Sequence, residues 1–399
     1  MTRSGFAEKG IARLRDAMTG HVERGEVRGL AWLVARGDAT EVGVTGTLDV
    51  GGAAIARDSI FRISSMTKPV TAVATLILVE EGRIGLDDPV DDFLPELADR
   101  QVLTHAGAPL DDTVPAARAI TTRDLLTFRL GLGMDFGAMD KQSTLPAMAS
   151  LGLGVGPPQP AGPPDPDEWM RRLGTVPLEY QPGERWLYHT GADILGVLIA
   201  RASGRPFDVF LRERVFEPLA MRDTGFFVPE QSMSRFGPCF GIELATGALG
   251  VFDPRDGQWS RPPAFPGGGA GLVSTIDDYA AFAGMLLGGG TGPGTRLLSG
   301  ASVAAMTTNQ LTPEQVEASG PMPRGQLGWG FGVGVQLTSS AGGASVGAYG
   351  WDGGLGSRWM NDPTAGCTCI LLTNQMWTSP TAPPVAEDLV TCAYAAFDR

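Results

Sequence analysis

One apolar stretch limits what this chain can fold into. Residues 70–79 read Val-Thr-Ala-Val-Ala-Thr-Leu-Ile-Leu-Val, which leaves almost no polar face when the stretch is wound into a helix. We therefore expect this helix to be buried at the centre of the molecule. Pro69 has no amide proton and must lie in the first helical turn, so the helix begins no earlier than about Ser65 or Met66.

The start of this helix carries a serine and a lysine at a spacing that allows proton transfer between them. The chain has 31 basic residues, but only Lys9, Lys68 and Lys141 are lysines. A buried lysine amine can lose its proton, whereas a guanidinium stays protonated. Lys68 follows Ser65 by one turn on the same helix face, close enough to accept the serine proton. The alternative is a capping serine and a snorkelling lysine, since Ser-x-x-Lys arises often by chance.

Composition excludes several classes of protein. The chain has 399 residues, of which 43% are hydrophobic and 19% are charged, as expected for a globular protein of one large or two intertwined domains. A net charge of −13 argues against nucleic acid and anionic membranes as partners. The sequence shows no signal peptide and no membrane span, and its four cysteines give no disulfide framework, so we expect a cytoplasmic protein. The three histidines are scattered, which argues against a metal site. We expect it to have no metal, no cofactor and a small-molecule partner.

The order of secondary-structure patterns predicts an α+β fold. Strand patterns lie near both chain ends, with mainly helical patterns between them. We expect both ends to build one antiparallel sheet, flanked by helices, with a mainly helical domain inserted. The predicted sheet domain comprises residues 1–84 and 268–399, and the inserted domain 85–267 carries a Gly/Pro-rich loop at 152–165. The predicted strands are 30–36, 40–48, 329–337, 358–361 and 369–373, and the predicted helices include 121–127, 191–202, 206–217 and 385–397.

Further motifs give the Ser-x-x-Lys pattern its context. The chain reads Phe-Arg-Ile-Ser-Ser-Met-Thr-Lys-Pro at 61–69, Glu-Gly-Arg-Ile at 81–84, Leu-Asp-Asp-Pro-Val at 86–90, and Pro-Gly-Glu at 182–184 ahead of Tyr188. In these motifs it resembles the superfamily of serine β-lactamases (class C type), penicillin-binding proteins and family VIII carboxylesterases, most closely the esterases. The resemblance covers about residues 55 to 375. It implies a β-lactamase/transpeptidase-like fold and an acyl-enzyme on Ser65.

The resemblance assigns a second site element to Tyr188-His189-Thr190, where the family usually has Tyr-x-Asn. Tyr188 is then the third catalytic residue, because a phenol near a lysine ammonium ionises more easily and can act as base or acid. Thr190 replaces the asparagine that contacts the substrate amide. His189 is a tempting base, but its neighbours Tyr188 and Thr190 would point elsewhere, so we expect a structural or rim role for it.

The third element implied by the resemblance is Trp351-Asp352-Gly353, closest to the Trp-Gly-Gly form of family VIII esterases. These residues would contact substrate, with the glycine allowing its close approach. The backbone amides of Ser65 and Gly354 would form the oxyanion hole. The motif lacks the usual cationic residue, which disfavours β-lactams and D-Ala-D-Ala peptides, although Arg358 could restore a cation.

A second serine motif has to be weighed. Residues 343–347, Gly-Ala-Ser-Val-Gly, fit the nucleophile elbow of α/β-hydrolases. That elbow needs a helix after it and a later histidine, and no histidine follows Ser345. We therefore interpret Ser345 as a loop residue.

The motifs together favour a serine esterase that cleaves small carboxylic esters through an acyl-enzyme on Ser65, with Lys68 and Tyr188 sharing the proton transfers. An acyltransferase with the same acyl-enzyme is one alternative, and a β-lactamase or D-Ala-D-Ala peptidase is another. A catalytically dead relative that only binds a ligand is the alternative of a different class. Aromatic candidates for an apolar acyl pocket are Trp186, Trp259, Phe265 and Trp351.

Overall fold

The computed structural model describes residues 5–242, 247–319, 326–379 and 381–398. Within these ranges the chain forms eleven α-helices and fifteen short or long strands. The helices are α1 Glu8–Glu23, α2 Thr67–Glu80, α3 Thr122–Leu126, α4 Thr144–Ser150, α5 Pro166–Leu173, α6 Thr190–Ser203, α7 Phe207–Leu211, α8 Ile276–Leu287, α9 Gly300–Met306, α10 Pro313–Ala318 and α11 Pro384–Ala395. The strands are β1 Gly29–Arg36, β2 Ala39–Gly46, β3 Phe61–Arg62, β4 Gln101–Leu103, β5 Thr113–Pro115, β6 Cys239–Ile242, β7 Leu249–Asp253, β8 Val273–Ser274, β9 Thr291–Gly292, β10 Thr295–Arg296, β11 Leu327–Trp329, β12 Gly334–Gln336, β13 Tyr349–Gly353, β14 Ser357–Asp362 and β15 Cys367–Thr373.

Both ends of the chain build one antiparallel sheet, as the sequence predicts. Its seven strands run in the order β11-β12-β13-β14-β15-β1-β2. The N-terminal hairpin β1–β2 therefore joins the C-terminal strands through β1 and β15, where Leu33 lies opposite Ile370. The predicted turn at Gly37-Asp38 closes this hairpin.

Helices cover both faces of the sheet. On one face α1 and α11 pack with β1 and β15 in a cluster that includes Leu14, Trp32 and Leu389. On the other face α8 lies against β1, β14 and β15, and the buried Asn361 of β14 donates a hydrogen bond to the Ala283 carbonyl of α8 over 2.8 Å. The sheet therefore has a core on each side.

The apolar helix is the centre of the larger core, as predicted. Twelve of the fourteen residues of α2 are buried. Of its three threonines, Thr71 donates its hydroxyl to the Gly268 carbonyl and Thr75 donates to the Thr71 carbonyl, so neither hydroxyl is left unpaired in the core. No helix in the described part of the chain is long and apolar enough to cross a membrane.

The middle of the chain is mostly helical, with departures from the predicted pattern. The hairpins β4–β5 and β6–β7 were not predicted, because strands of three to five residues show little alternation. The predicted helix 206–217 changes at Arg212 from α to π hydrogen bonding. The predicted strand 329–337 is confirmed only at its ends, because residues 330–333 form a turn between β11 and β12. The domain boundaries at 84/85 and 267/268 stay a prediction.

Candidate active site

Ser65 lies in a strained turn at the start of α2. The turn Ser64–Met66 is a 3-10 helix that runs directly into α2. Ser64 has a φ of 46°, a left-handed conformation that non-glycine residues rarely adopt. The Thr67 hydroxyl holds the turn by donating to the Ser64 carbonyl over 2.7 Å and accepting from the Leu272 amide over 3.1 Å. This turn places Ser65 in the wall of a cavity.

Lys68 lies beside the serine with almost no exposure to solvent. Its Nζ is 3.0 Å from the Ser65 Oγ, 2.7 Å from the Gly269 carbonyl oxygen and 3.1 Å from the His189 Nδ1. The side chain is 1% exposed. Burial lowers the pKa of Lys68 to about 7, although the negative charge of Asp193 acts to raise it. A large fraction of Lys68 is therefore neutral near pH 7 and can accept a proton.

Tyr188 faces the same amine with its ring. Lys68 Nζ lies 4.4 Å from the ring centroid, and the Trp351 indole donates to the Tyr188 hydroxyl oxygen over 2.8 Å. Burial raises the pKa of Tyr188 far above its usual value, and the hydrogen bonds with Ser65 and Trp351 lower it by less. The expectation that Tyr188 ionises easily is therefore wrong: it is a neutral phenol, which suits a proton donor.

The structure brings His189 into the site, against the expectation of a rim role. Its backbone has φ 86° and ψ −61°, and the Thr190 amide bonds to the Tyr188 carbonyl over 3.3 Å, which defines a γ-turn. This tight turn directs both Tyr188 and His189 towards Lys68. In an extended chain the side chains of adjacent residues point in different directions, so the sequence alone does not reveal this turn.

Asp193 completes the group and was missed from the sequence. Its Oδ2 lies 3.0 Å from the His189 Nε2, and its Oδ1 accepts from the Gly269 amide over 2.8 Å. Burial acts to raise the pKa of Asp193, but His189 and the Gly269 amide outweigh it and the pKa is lowered. The one available signal was the i,i+4 spacing of Asp193 on α6 and His189, the residue just before that helix.

Not all residues of the third motif line the cavity. Trp351, Asp352 and Gly354 line the same cavity as Ser65. Gly353 does not: a Cβ there would overlap the Ile63 carbonyl oxygen and the Ser357 hydroxyl. Gly353 is therefore required for packing β13 against the serine turn, and its expected contact with substrate stays a prediction.

Arg358 and Thr190 are the two remaining candidates for substrate binding. Arg358 lines the cavity, but its guanidinium lies 3.4 Å from Asp352 Oδ1 and 3.0 Å from Glu387 Oε1, so its charge is balanced. Thr190 is 4% exposed at the first residue of α6 and does not line the cavity, because the γ-turn presents His189 instead. The expected contact of Thr190 with substrate stays a prediction.

Two adjoining cavities meet at this group of residues. The larger has a volume of about 530 Å³ and contains Ser65, Tyr188 and the third motif, with apolar walls that include Met134, Phe136, Met376 and Trp377. The smaller, about 260 Å³, is lined by the 152–165 loop, Asp193, Trp169 and Phe265. Both share His189, Ala270 and residues 156–158.

Other candidates from the sequence lie elsewhere. Trp186 and Trp259 are buried in apolar clusters and line neither cavity. Ser345 is a loop residue whose amide donates to Asp362 over 2.8 Å. Among the described residues, no three His, Cys, Asp or Glu side chains are close enough to hold a metal ion.

The antiparallel sheet, the buried helix after Ser65 and the site between them define the β-lactamase/transpeptidase-like class. A family model described as Beta-lactamase matches residues 14–389. The chain therefore belongs to the beta-lactamase family, which groups serine hydrolases of this fold.

Known relatives agree with this membership. Protein Rv1367c of Mycobacterium tuberculosis (strain ATCC 25618 / H37Rv) is 38% identical over 328 residues, which span 80% of this chain and 79% of that protein. Esterase EstB of Burkholderia gladioli is 29% identical over 351 residues, 83% of this chain and 81% of that protein. The solved structure of EstCE1, described as a hydrolase with promiscuous acyltransferase activity, matches with a TM-score of 0.76. That match covers 97% of this chain and 99% of EstCE1 at 22% identity, so it shows the fold alone.

Proposed function

We propose that this protein is a serine esterase that cleaves carboxylic esters of small molecules through an acyl-enzyme on Ser65. One observation carries the proposal: a lysine amine that burial keeps partly neutral lies 3.0 Å from the Ser65 hydroxyl. That arrangement is an activated nucleophile with its base in place. The name of the relative EstB supports ester hydrolysis as the reaction.

Acylation follows from the positions of three groups. Neutral Lys68 takes the proton of Ser65 as the Oγ attacks the carbonyl carbon of the ester. The amides of Ser65 and Gly354, both in the cavity wall, would stabilise the oxygen that becomes negative. The neutral phenol of Tyr188 then donates its proton to the departing alkoxide.

Lys68 returns the proton that it took from Ser65, which restores the starting protonation states of Lys68 and Tyr188. The Tyr188 phenolate, left in a buried site that disfavours its charge, regains a proton from the Lys68 ammonium. Because Lys68 faces the ring of Tyr188 and not its oxygen, the hydroxyl of the alcohol product relays this proton: it accepts one from Lys68 and gives its own to Tyr188. Lys68 is neutral again before deacylation. Water then attacks the acyl-enzyme, gives up its proton along the same path in reverse, and Ser65 recovers its hydroxyl.

The charges around the cavity favour neutral esters. A β-lactam or a D-Ala-D-Ala peptide presents a carboxylate that needs an available cation. Arg358 is the cation at the third motif, and Asp352 and Glu387 already balance its charge. The apolar wall residues Met134, Phe136 and Trp377 suit an apolar acyl or alcohol group instead.

Acyl transfer to a second alcohol is an alternative to hydrolysis that the size of the two cavities supports. A volume of about 530 Å³ with a second cavity of about 260 Å³ beside it has room for an acyl group and an alcohol together. An alcohol that reaches the acyl-enzyme before water would convert hydrolysis into transfer. Product analysis of an ester with added butanol separates the two outcomes.

The test is hydrolysis of p-nitrophenyl acetate, p-nitrophenyl butyrate and nitrocefin by wild type, Ser65→Ala and Ser345→Ala. We expect ester turnover by wild type and Ser345→Ala, none by Ser65→Ala, and negligible nitrocefin turnover. Ester turnover that survives Ser65→Ala would refute the esterase mechanism. Fast nitrocefin turnover would refute the argument from the balanced charge of Arg358.

A further inference from the structure

We propose that Asp193 and His189 act as positioning residues that aim the lone pair of neutral Lys68 at the Ser65 hydroxyl. The inference rests on the proposed function, because it concerns how the base of that reaction is oriented. It assigns a role to the buried Asp193 and the half-buried His189, which the Ser-Lys-Tyr mechanism leaves unused.

The hydrogen-bond partners of Lys68 define the orientation. Its Nζ has three neighbours at hydrogen-bond distance, the Gly269 carbonyl, the His189 Nδ1 and the Ser65 Oγ. A neutral amine has two N–H donors and one lone pair. The Gly269 carbonyl can only accept, so it takes one N–H. If the His189 Nδ1 also accepts, the second N–H goes there and the lone pair faces Ser65.

Asp193 makes the His189 Nδ1 an acceptor. A neutral imidazole carries its proton on one nitrogen only. The Asp193 carboxylate accepts at Oδ2 from the His189 Nε2, over 3.0 Å, so the proton is on Nε2 and Nδ1 presents a lone pair. Burial and the nearby Lys68 lower the pKa of His189, which keeps the ring neutral.

Gly269 fixes the carboxylate and the amine at the same time. Its amide donates to Asp193 Oδ1 over 2.8 Å and its carbonyl accepts from Lys68 over 2.7 Å. A Cβ at this position would lie 2.9 Å from the His189 ring, which leaves room for glycine only. The four residues therefore form a closed ring of directional contacts.

The remaining groups around Lys68 do not compete for its N–H donors. Tyr188 presents its ring, and its hydroxyl oxygen accepts from Trp351. The charged residues Asp352 and Arg358 contact each other on strands β13 and β14, and neither is among the hydrogen-bond partners of Lys68. Ser65 is thus left as the group that faces the lone pair.

Asp193→Asn is the decisive variant, because the geometry dictates what it does. The Gly269 amide can only donate, so it holds the asparagine oxygen at the Oδ1 position. The asparagine NH₂ then faces the His189 Nε2, which must accept and shift its proton to Nδ1. His189 now donates to Lys68 and draws the lone pair away from Ser65.

The expected result is a fall in kcat/KM for p-nitrophenyl butyrate of about 10²-fold or more, carried by kcat. The acidic limb of the pH profile moves to lower pH, because the charge of Asp193 raises the pKa of Lys68 in the wild type. A merely structural defect would lower activity without moving this limb. Asp124→Asn is the matched control, since Asp124 is a buried carboxylate paired with Arg118 outside both cavities.

A spectroscopic measurement reads the tautomer of His189 directly, and in the wild type it does not depend on activity. The chain has three histidines, so ¹⁵N NMR of the labelled wild type resolves few imidazole signals, and His189→Asn assigns the one that matters. We expect the Nε2–H tautomer in wild type and the Nδ1–H tautomer in Asp193→Asn. His189→Asn keeps an oxygen acceptor and tolerates a positive φ, so it should be at least about tenfold more active than Asp193→Asn.

The Nδ1–H tautomer in wild type would overturn the proposal, and so would Asp193→Asn with wild-type kcat and pH profile. Failure of the esterase mechanism looks different, because Ser65→Ala would then retain turnover. Loss of turnover in Ser65→Ala together with a normal Asp193→Asn refutes the positioning role alone.

Discussion

The Trp351 indole donates a hydrogen bond to the hydroxyl oxygen of Tyr188 over 2.8 Å. This bond joins β13 to the γ-turn before α6, and it leaves the phenol O–H free to point towards Ser65. Tyr188→Phe removes the proposed proton donor and should lower kcat about 10²- to 10³-fold. Trp351→Phe keeps a ring but loses the N–H, and should lower kcat about tenfold. Steady-state kinetics with p-nitrophenyl butyrate measures both.

Trp32→Phe is the control for loss of an indole, since Trp32 packs with α1 and α11 on the far face of the sheet. It should lower thermal stability and leave kcat unchanged. Equal kcat for Trp351→Phe and wild type would show that the indole bond does not orient Tyr188.

The pH dependence of the reaction follows from burial of Lys68. In the proposed mechanism the amine must be neutral to accept the serine proton, and burial lowers its pKa to about 7. We therefore expect kcat/KM to rise with pH through about 7 and then level off. Lys68→Arg should be inactive throughout, because a guanidinium cannot lose its proton. A profile that stays flat from pH 5 to 9 would show that Lys68 is not the base.

The same burial of Lys68 lowers the free energy of unfolding at low pH, where the amine is protonated. Between pH 7 and about 10 the unfolded chain binds a proton at Lys68 that the folded chain does not, so the free energy of unfolding of wild type rises with pH in this window. Lys68→Met removes the titrating group. From pH 6 to pH 9 wild type should gain roughly 2–3 kcal/mol relative to Lys68→Met.

Urea unfolding at both pH values measures this difference. Lys141→Met is the matched control, because Lys141 is exposed and should give the same difference from wild type at both pH values. A Lys68→Met variant that also shows a constant difference would contradict the lowered pKa.

Gly353 links the third motif to the serine turn through packing. Gly353→Ala would press a methyl group against the Ile63 carbonyl and the Ser357 hydroxyl, so β13 must move away from the turn that carries Ser65. We expect a loss of about 2 kcal/mol or more in stability and a marked fall in kcat. Gly284→Ala is the control, since a Cβ there meets open space on α8 and alanine favours a helix. Wild-type kcat in Gly353→Ala would refute this coupling.

The sequence predicted what depends on local pattern. The buried helix α2 follows from an uninterrupted apolar stretch, and its start follows from Pro69, so Ser65 and Lys68 were placed correctly beside each other. The sheet from both chain ends was predicted from the strand patterns and the family motifs.

The parts that the sequence missed depend on backbone shape and on contacts between distant segments. The inward direction of His189 comes from a γ-turn, and the position of Asp193 is fixed by the Gly269 amide 76 residues away. Gly353 was expected at the substrate because glycine allows close approach, and its close approach to the Ile63 backbone was missed. The Gly269 amide and the Ile63 backbone are distant in sequence from the residues they contact, so neither contact can be inferred from the local sequence.

The most direct test is the intact mass of the protein, quenched in acid during turnover of p-nitrophenyl butyrate, followed by peptide mapping. We expect a butyryl adduct on Ser65 in wild type and in Ser345→Ala, and no adduct in Ser65→Ala. Tyr188→Phe, which slows both half-reactions, should show the adduct on the same serine. A butyryl group on another residue, or an adduct that persists in Ser65→Ala, would contradict an acyl-enzyme mechanism on Ser65.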